Sequence, residues 1–216
     1  KAGRGYMIGI SGDFRSDPEK TNRYYTLCID YAQASMLIAK NPNHANVQFY
    51  DESMVKLVNN TKKIESRFKD AIVKGEFVAY YQPKVNLENN LLIGAEALCR
   101  WNRGKKLLTP GSFIEILEKS NRICSLDYYM LESVCKDIAG WMDKGITPVR
   151  VSTNFSRKHL GNPNLVHEVI NIVDEYKIPR SLIVIELTET TTEADLIRLA
   201  ECVAEFRKSG FDKAFY

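Results

Sequence analysis

The sequence is short of the residues that would signal zinc, disulfides or a membrane. Its three histidines, His44, His159 and His167, show no zinc-ligand spacing and receive no role. Five cysteines, an odd number without paired spacing, argue against a disulfide framework. Cys28, Cys99, Cys135 and Cys202 lie among apolar residues and read as small, reduced core side chains. No apolar run approaches the roughly 20 residues of a membrane helix, and no signal-peptide pattern is visible. Charge of one sign is also lacking: a formal net charge of +3 is too small to argue for a nucleic-acid polymer. These absences lead to the expectation of a cytoplasmic chain. What is present, 44% apolar and 26% charged residues, describes a soluble globular chain of one or two domains.

The most informative stretch is 91–101, Leu-Leu-Ile-Gly-Ala-Glu-Ala-Leu-Cys-Arg-Trp. It is mostly apolar and is bounded by Asn89-Asn90 and by Asn102-Arg103-Gly104, so it reads as a buried strand. Side chains alternate along a strand, so Glu96, Leu98 and Arg100 share one face. A buried carboxylate is costly unless something compensates it. Two readings stand: a Glu96–Arg100 ion pair near a strand end, or a functional carboxylate.

Two later strands bear on that choice. Stretch 149–155 ends in Asn154, and stretch 182–188 carries Glu186, with Glu189 just beyond. Three strands thus place an oxygen ligand at or near their C-terminal ends. In a parallel α/β barrel those ends meet on one face, where active sites are built. Two carboxylates and an amide oxygen suit a hard cation such as Mg²⁺ or Mn²⁺. Singly, Asn154 reads as a turn-former and Glu186 as a cap or surface carboxylate.

Four segments carry a family resemblance. They are Tyr81-Gln82-Pro83-Lys84, Ala95-Glu96-Ala97-Leu98-Cys99-Arg100-Trp101, Ser152-Thr153-Asn154-Phe155-Ser156 and Ile185-Glu186-Leu187-Thr188-Glu189-Thr190. In order and spacing they resemble the successive motifs of the EAL domain, a family of bacterial phosphodiesterases that hydrolyse cyclic di-GMP. The resemblance runs from about residue 68 to about residue 210. It implies that Glu96, Asn154 and Glu186 are metal ligands, with Mg²⁺ or Mn²⁺ as the cofactor. It further implies that Gln82 and Arg100 contact the substrate, and that Glu96 and Glu189 are catalytic, Glu189 acting by fixing a neighbouring loop or ligand. Two ions would activate a water and clamp the phosphodiester in line. A homodimer through the EAL domain also belongs to this expectation, as does a place in the cytoplasmic part of a larger sensor.

The chain before this region resembles another family. Ile8-Gly9-Ile10 and Ala32-Gln33-Ala34-Ser35-Met36-Leu37-Ile38-Ala39-Lys40 lie in a strand, helix and strand similar to the C-terminal part of a GGDEF domain, a diguanylate cyclase fold. The departures are instructive. The family's signature loop is absent from the chain, Gln33 stands where it usually has Asp, and Leu37 where it usually has Tyr. Residues 1–54 therefore read as part of a degenerate, inactive GGDEF-like domain. Residues 51–74 form a long polar helix candidate with Gly75 as C-cap, and residues 55–75 link it to an incomplete EAL domain at 76–216.

Within that domain, a helix is expected from Ser112, with Ser112 and Glu115 as a capping box. Further helices are expected over 126–144, 164–176 and 193–208, the last facing inward through Leu196, Leu199, Ala200, Val203 and Phe206. Strands alternating with helices imply parallel βα units, hence an incomplete (β/α)₈ barrel of the TIM type. After Gly210 the EAL family continues into an Asp-Asp-Phe-Gly strand, whereas Phe211-Asp212-Lys213-Ala214-Phe215-Tyr216 follows here. A stretch missing near Asp212, or a real truncation, is expected. Three functions stay open: a phosphodiesterase, an EAL-like receptor that holds cyclic di-GMP without cleaving it, and a partner-docking module.

Overall fold

The computed structural model describes residues 52–187 and 193–211. The GGDEF-like reading of the N-terminal segment, the site residue Glu189 and the odd C-terminal segment lie outside the described residues. Packing divides the chain into Lys1–Ser66 and Arg67–Tyr216. The sheet, its helices and the candidate site all belong to the second unit.

The long polar helix α1 spans Glu52–Val73 and crosses that division. Gly75 ends it as the sequence predicts, with φ +66°, a conformation that costs glycine least. The amide of Gly75 donates to Ile72 O at 3.1 Å and that of Glu76 to Ala71 O at 2.9 Å, which satisfies the last carbonyls in a Schellman motif.

Strands β1 (Phe77–Val85) and β2 (Leu92–Asn102) follow as an antiparallel hairpin, pairing Gln82 with Glu96 and Lys84 with Gly94. The short strand β3 (Leu107–Leu108) adds to the end of β2. Helices α2 (Ile114–Lys119) and α3 (Ile123–Asp143) lead to β4 (Arg150–Phe155), which runs parallel to β2. Helix α4 (Leu165–Glu175) then leads to β5 (Ile183–Leu187), parallel to β4, and α5 (Glu193–Lys208) follows. The sheet order is β1-β2-β4-β5, with β3 beside β2.

The expected parallel βα units are found for three of the five strands. Strands β2, β4 and β5 form a parallel segment, but β1 and β3 run antiparallel to β2. The physical reason is loop length. Only residues 86–91 separate β1 from β2, whereas a parallel return needs a crossover of about a dozen residues or more. Among the described residues the sheet has five strands and does not close on itself.

One face of the sheet carries the core. Ala97, Val151, Phe155, Ile183, Ile185 and Leu187 point there and meet Leu131, Val134, Cys135 and Ile138 of α3 and Val169 and Val173 of α4. Full burial of each such Leu, Ile or Val is worth about 1.5–3 kcal/mol over exposure. A second, aromatic cluster closes the far end of the β1–β2 hairpin. Phe77 stacks at 4.8 Å on Trp101 and 5.8 Å on Phe68, and Phe113 meets Trp101 edge-on at 5.7 Å. The Trp101 indole N–H donates to Glu76 Oε2 at 2.9 Å, so the buried ring keeps its polar handle satisfied.

Two helix details depart from the sequence reading. Pro110 opens a 3₁₀ turn over Pro110–Ser112, and the Ser112 hydroxyl donates back to Thr109 O at 2.6 Å rather than capping a helix. Glu115 pairs with Lys119 at 2.7 Å, so no capping box forms. On α5, Phe206 is fully buried as expected, but Leu196 is 54% exposed and Ala200 is exposed, so only part of the predicted stripe faces inward.

Candidate active site on the polar face of the sheet

Strand register puts the candidate residues on the face opposite the core. Glu96 lies beside Gln82 on one side and Ser152 on the other, and Asn154 lies beside Glu186. Directly paired residues project to the same side of a sheet, and so do residues two apart on one strand. Gln82, Lys84, Glu96, Arg100, Ser152, Asn154 and Glu186 therefore share one face.

Side-chain contacts knit this face together. The Asn154 amide donates from Nδ2 to Glu96 Oε1 at 2.9 Å. The Lys84 ammonium donates to Glu186 Oε1 at 2.8 Å and to Ser152 Oγ at 3.0 Å. Lys84 spans two strands to do so. Its direct partner on β2 is Gly94. The Glu186 side chain is 16% exposed, so the ammonium offsets a carboxylate that is largely shielded from water.

The structure counts against the ion-pair reading of 91–101. Among the described residues Arg100 forms no ion pair with Glu96. Its guanidinium donates to Cys99 O at 2.9 Å and lies 5.7 Å from the centre of the Tyr80 ring. Gln82 is exposed on the same face. One placement differs from expectation: Glu96 sits mid-strand, not near a strand end, because β2 runs on past β4 to pair with β3.

Sequence reasoning assigned no role to Lys84 or Ser152. The signal that could have found Lys84 is parity: it lies two residues beyond Gln82 and so points the same way.

Beneath the loop that follows β4 lies a buried polar cluster. Asp127 Oδ2 accepts from Ser156 N at 2.9 Å and lies 3.0 Å from His159 Nε2. Burial raises the Asp127 pKa, and the bonds from His159 and Ser156 oppose that rise. His159, read as having no role, is a buried partner of this carboxylate, packed 4.8 Å from Tyr128 and 4.7 Å from Phe155. The cluster anchors the backbone two residues after Asn154. A cavity of about 200 Å³ adjoins it, lined by Cys99, Asp127, Asn154 and Ser156 among others. Burial pushes the Cys99 thiol up to about 12, so it stays protonated and is no nucleophile at neutral pH. Tyr81, on the core face, donates to Asp137 at 2.6 Å.

As metal ligands, Glu96, Asn154 and Glu186 offer three oxygen donors, the set a hard cation prefers. Among the described residues no three His, Cys, Asp or Glu side chains come together as a metal cluster. Two carboxylates and an amide on one face fit a divalent ion in donor type.

Comparison with known proteins supplies the family. The EAL domain model matches residues 65–214. The chain is 29% identical over 165 residues to the bifunctional diguanylate cyclase/cyclic di-GMP phosphodiesterase MucR of Pseudomonas aeruginosa, covering 76% of this chain and 24% of MucR. It is 33% identical over 117 residues to the cyclic di-GMP phosphodiesterase RocR of the same organism, covering 54% of this chain and 30% of RocR. The chain thus spans a quarter to a third of the length of these relatives. Among solved structures, the PaMucR phosphodiesterase in complex with c-di-GMP aligns with a TM-score of 0.58 at 29% identity, covering 66% of this chain and 60% of that one. The Xanthomonas citri FimX EAL domain aligns with a TM-score of 0.64 at 16% identity, covering 74% and 61%. The match over most of the chain, carried by strands whose polar face holds Glu96, Asn154 and Glu186, means that this protein belongs to the EAL domain family.

Proposed function

We propose that the chain carries out metal-dependent hydrolysis of cyclic di-GMP to the linear dinucleotide. The observation that carries this reading is the gathering of Glu96, Asn154 and Glu186 on one polar sheet face. Family membership and the names of MucR and RocR support it. In this reading Glu96, Asn154 and Glu186 hold Mg²⁺ or Mn²⁺. Bound there, the ion lowers the pKa of a water and stabilises charge on the phosphodiester.

The chain's own residues position the substrate. Gln82 and Arg100 flank Glu96 on the same face, where an amide and a planar guanidinium suit phosphate and base edges. Tyr80 lies under the Arg100 guanidinium and limits its rotation. Glu189 fixes the segment after β5. Residues 1–54 act as an inactive, regulatory GGDEF-like part joined through a linker at 55–75, in a cytoplasmic protein that pairs through its EAL domain.

A second reading is a receptor that binds cyclic di-GMP without cleaving it. It is favoured by Lys84, whose ammonium already occupies Glu186. Chromatography of cyclic di-GMP after incubation with the protein and Mn²⁺ separates the two. Linear dinucleotide that disappears on addition of a chelator supports hydrolysis. Tight binding without product overturns it in favour of the receptor.

A further inference from the structure

We propose that Lys84 is a built-in counterion of the metal site, exchanged for the divalent ion when the site loads. This rests on the reading of Glu186 as a metal ligand. Each carboxylate of the proposed ligand set already has an internal donor: Asn154 serves Glu96 at 2.9 Å, and Lys84 serves Glu186 at 2.8 Å. The two donors differ in kind. An amide can turn its oxygen to an incoming cation and remain in place as a ligand. An ammonium has three donors and no acceptor, and it shares the sign of the metal. It therefore competes with the metal for the same oxygen and must leave that oxygen for the ion to take it.

The structure provides both the hold and the exit. Ser152, buried between Glu96 and Val184 in the register, gives Lys84 a second contact at 3.0 Å, which fixes the ammonium beside Glu186. Gly94 is the residue paired with Lys84 on β2, and a Cβ there would lie 3.1 Å from Arg150 O. The lysine side chain is 44% exposed, so the ammonium can swing out into solvent without being desolvated. Released, it carries a positive charge two residues from Gln82 on the substrate-facing side, where a phosphate would be welcome. Lys84 thus serves as a positioning residue in the metal-free state and a candidate phosphate contact in the loaded one.

Exchange has a thermodynamic signature. Two ligands that compete for one group weaken each other by the same factor. Removing the ammonium should therefore tighten metal binding. The test is titration of metal-free protein with Mn²⁺, read by the electron paramagnetic resonance signal of the free ion, for the parent, Lys84→Met, Lys84→Arg and Ser152→Ala. Lys84→Met is expected to bind Mn²⁺ about tenfold more tightly. Lys84→Arg, which keeps the charge, should stay near the parent. Ser152→Ala loses one anchor and should fall between, about threefold tighter; it keeps the test alive if Lys84→Met does not fold. Equal Mn²⁺ affinity in the parent, Lys84→Met and Ser152→Ala overturns the exchange while leaving the metal site standing. Weaker binding by Lys84→Met also overturns it. Failure of all four proteins to take up Mn²⁺ overturns the metal reading itself, and the exchange with it.

Discussion

The two faces of one sheet follow different rules. On β4, Val151, Thr153 and Phe155 turn to the helices, while Ser152 and Asn154 turn away. On β5, Ile183, Ile185 and Leu187 turn to the helices, and Glu186 turns away. The helix-covered face is held by area: many apolar contacts, none individually decisive. The other face is held by a few directed bonds, Asn154 to Glu96 and Lys84 to Glu186 and Ser152. Damage to the first should lower stability with little change in chemistry per folded molecule. Damage to the second should do the reverse.

The largest expected effect on stability comes from the core face. Leu131 is fully buried on α3. Leu131→Ala should cost about 3 kcal/mol and lower Tm by roughly 6–12 °C. Urea unfolding followed by circular dichroism measures it. A loss under about 1 kcal/mol would mean that α3 is not the element that covers the sheet.

Asp127 blurs the comparison, because it is a polar group on the covered side. Asp127→Ala removes the acceptor of Ser156 N and the partner of His159, and should cost about 2 kcal/mol. Asp127→Asn keeps an acceptor of the same shape and should cost less. Equal losses in the two variants would show that cavity formation, not the hydrogen bonds, sets the effect.

The smallest effect is expected at the rim. Arg180 meets Asp174 at 2.6 Å and also donates to Ser209 O at 2.7 Å, but both charged side chains are substantially exposed. Arg180→Ala should cost about 1 kcal/mol or less. The bond from Arg180 holds the Asp174 carboxyl below its ordinary range. With the folded pKa lowered, the pair's contribution is present above the unfolded carboxyl value of about 4 and is lost as pH falls through the folded one. Unfolding of parent and variant at neutral pH and in acid should show the gap closing in acid. A gap that stays unchanged there would assign the effect to the Ser209 contact.

Much of this architecture was legible in the sequence. The apolar run 183–187, the alternation around Glu96 and the glycine after α1 each carry a local signal, and each is found where it was read. Strand direction was not, because alternation is the same for either direction. The brevity of loop 86–91 held that information and went unused. The site was legible as a set of ligand types, since carboxylates in apolar strands stand out. Lys84 was not, since its partners Ser152 and Glu186 lie 68 and 102 residues away on other strands. His159 was missed for a similar reason: its partner Asp127 lies 32 residues away.

The central claim is that the polar face does chemistry that the fold does not need. Glu96 makes that separable, because it accepts from Asn154 and, among the described residues, has no ion pair with Arg100. Removing it leaves no stranded guanidinium. The most direct measurement is therefore Glu96→Ala assayed for linear dinucleotide formation from cyclic di-GMP, with Tm recorded on the same metal-free sample. The account predicts loss of hydrolysis by at least about a thousandfold with Tm within roughly 2 °C of the parent. Undiminished hydrolysis together with a large fall in Tm would contradict it.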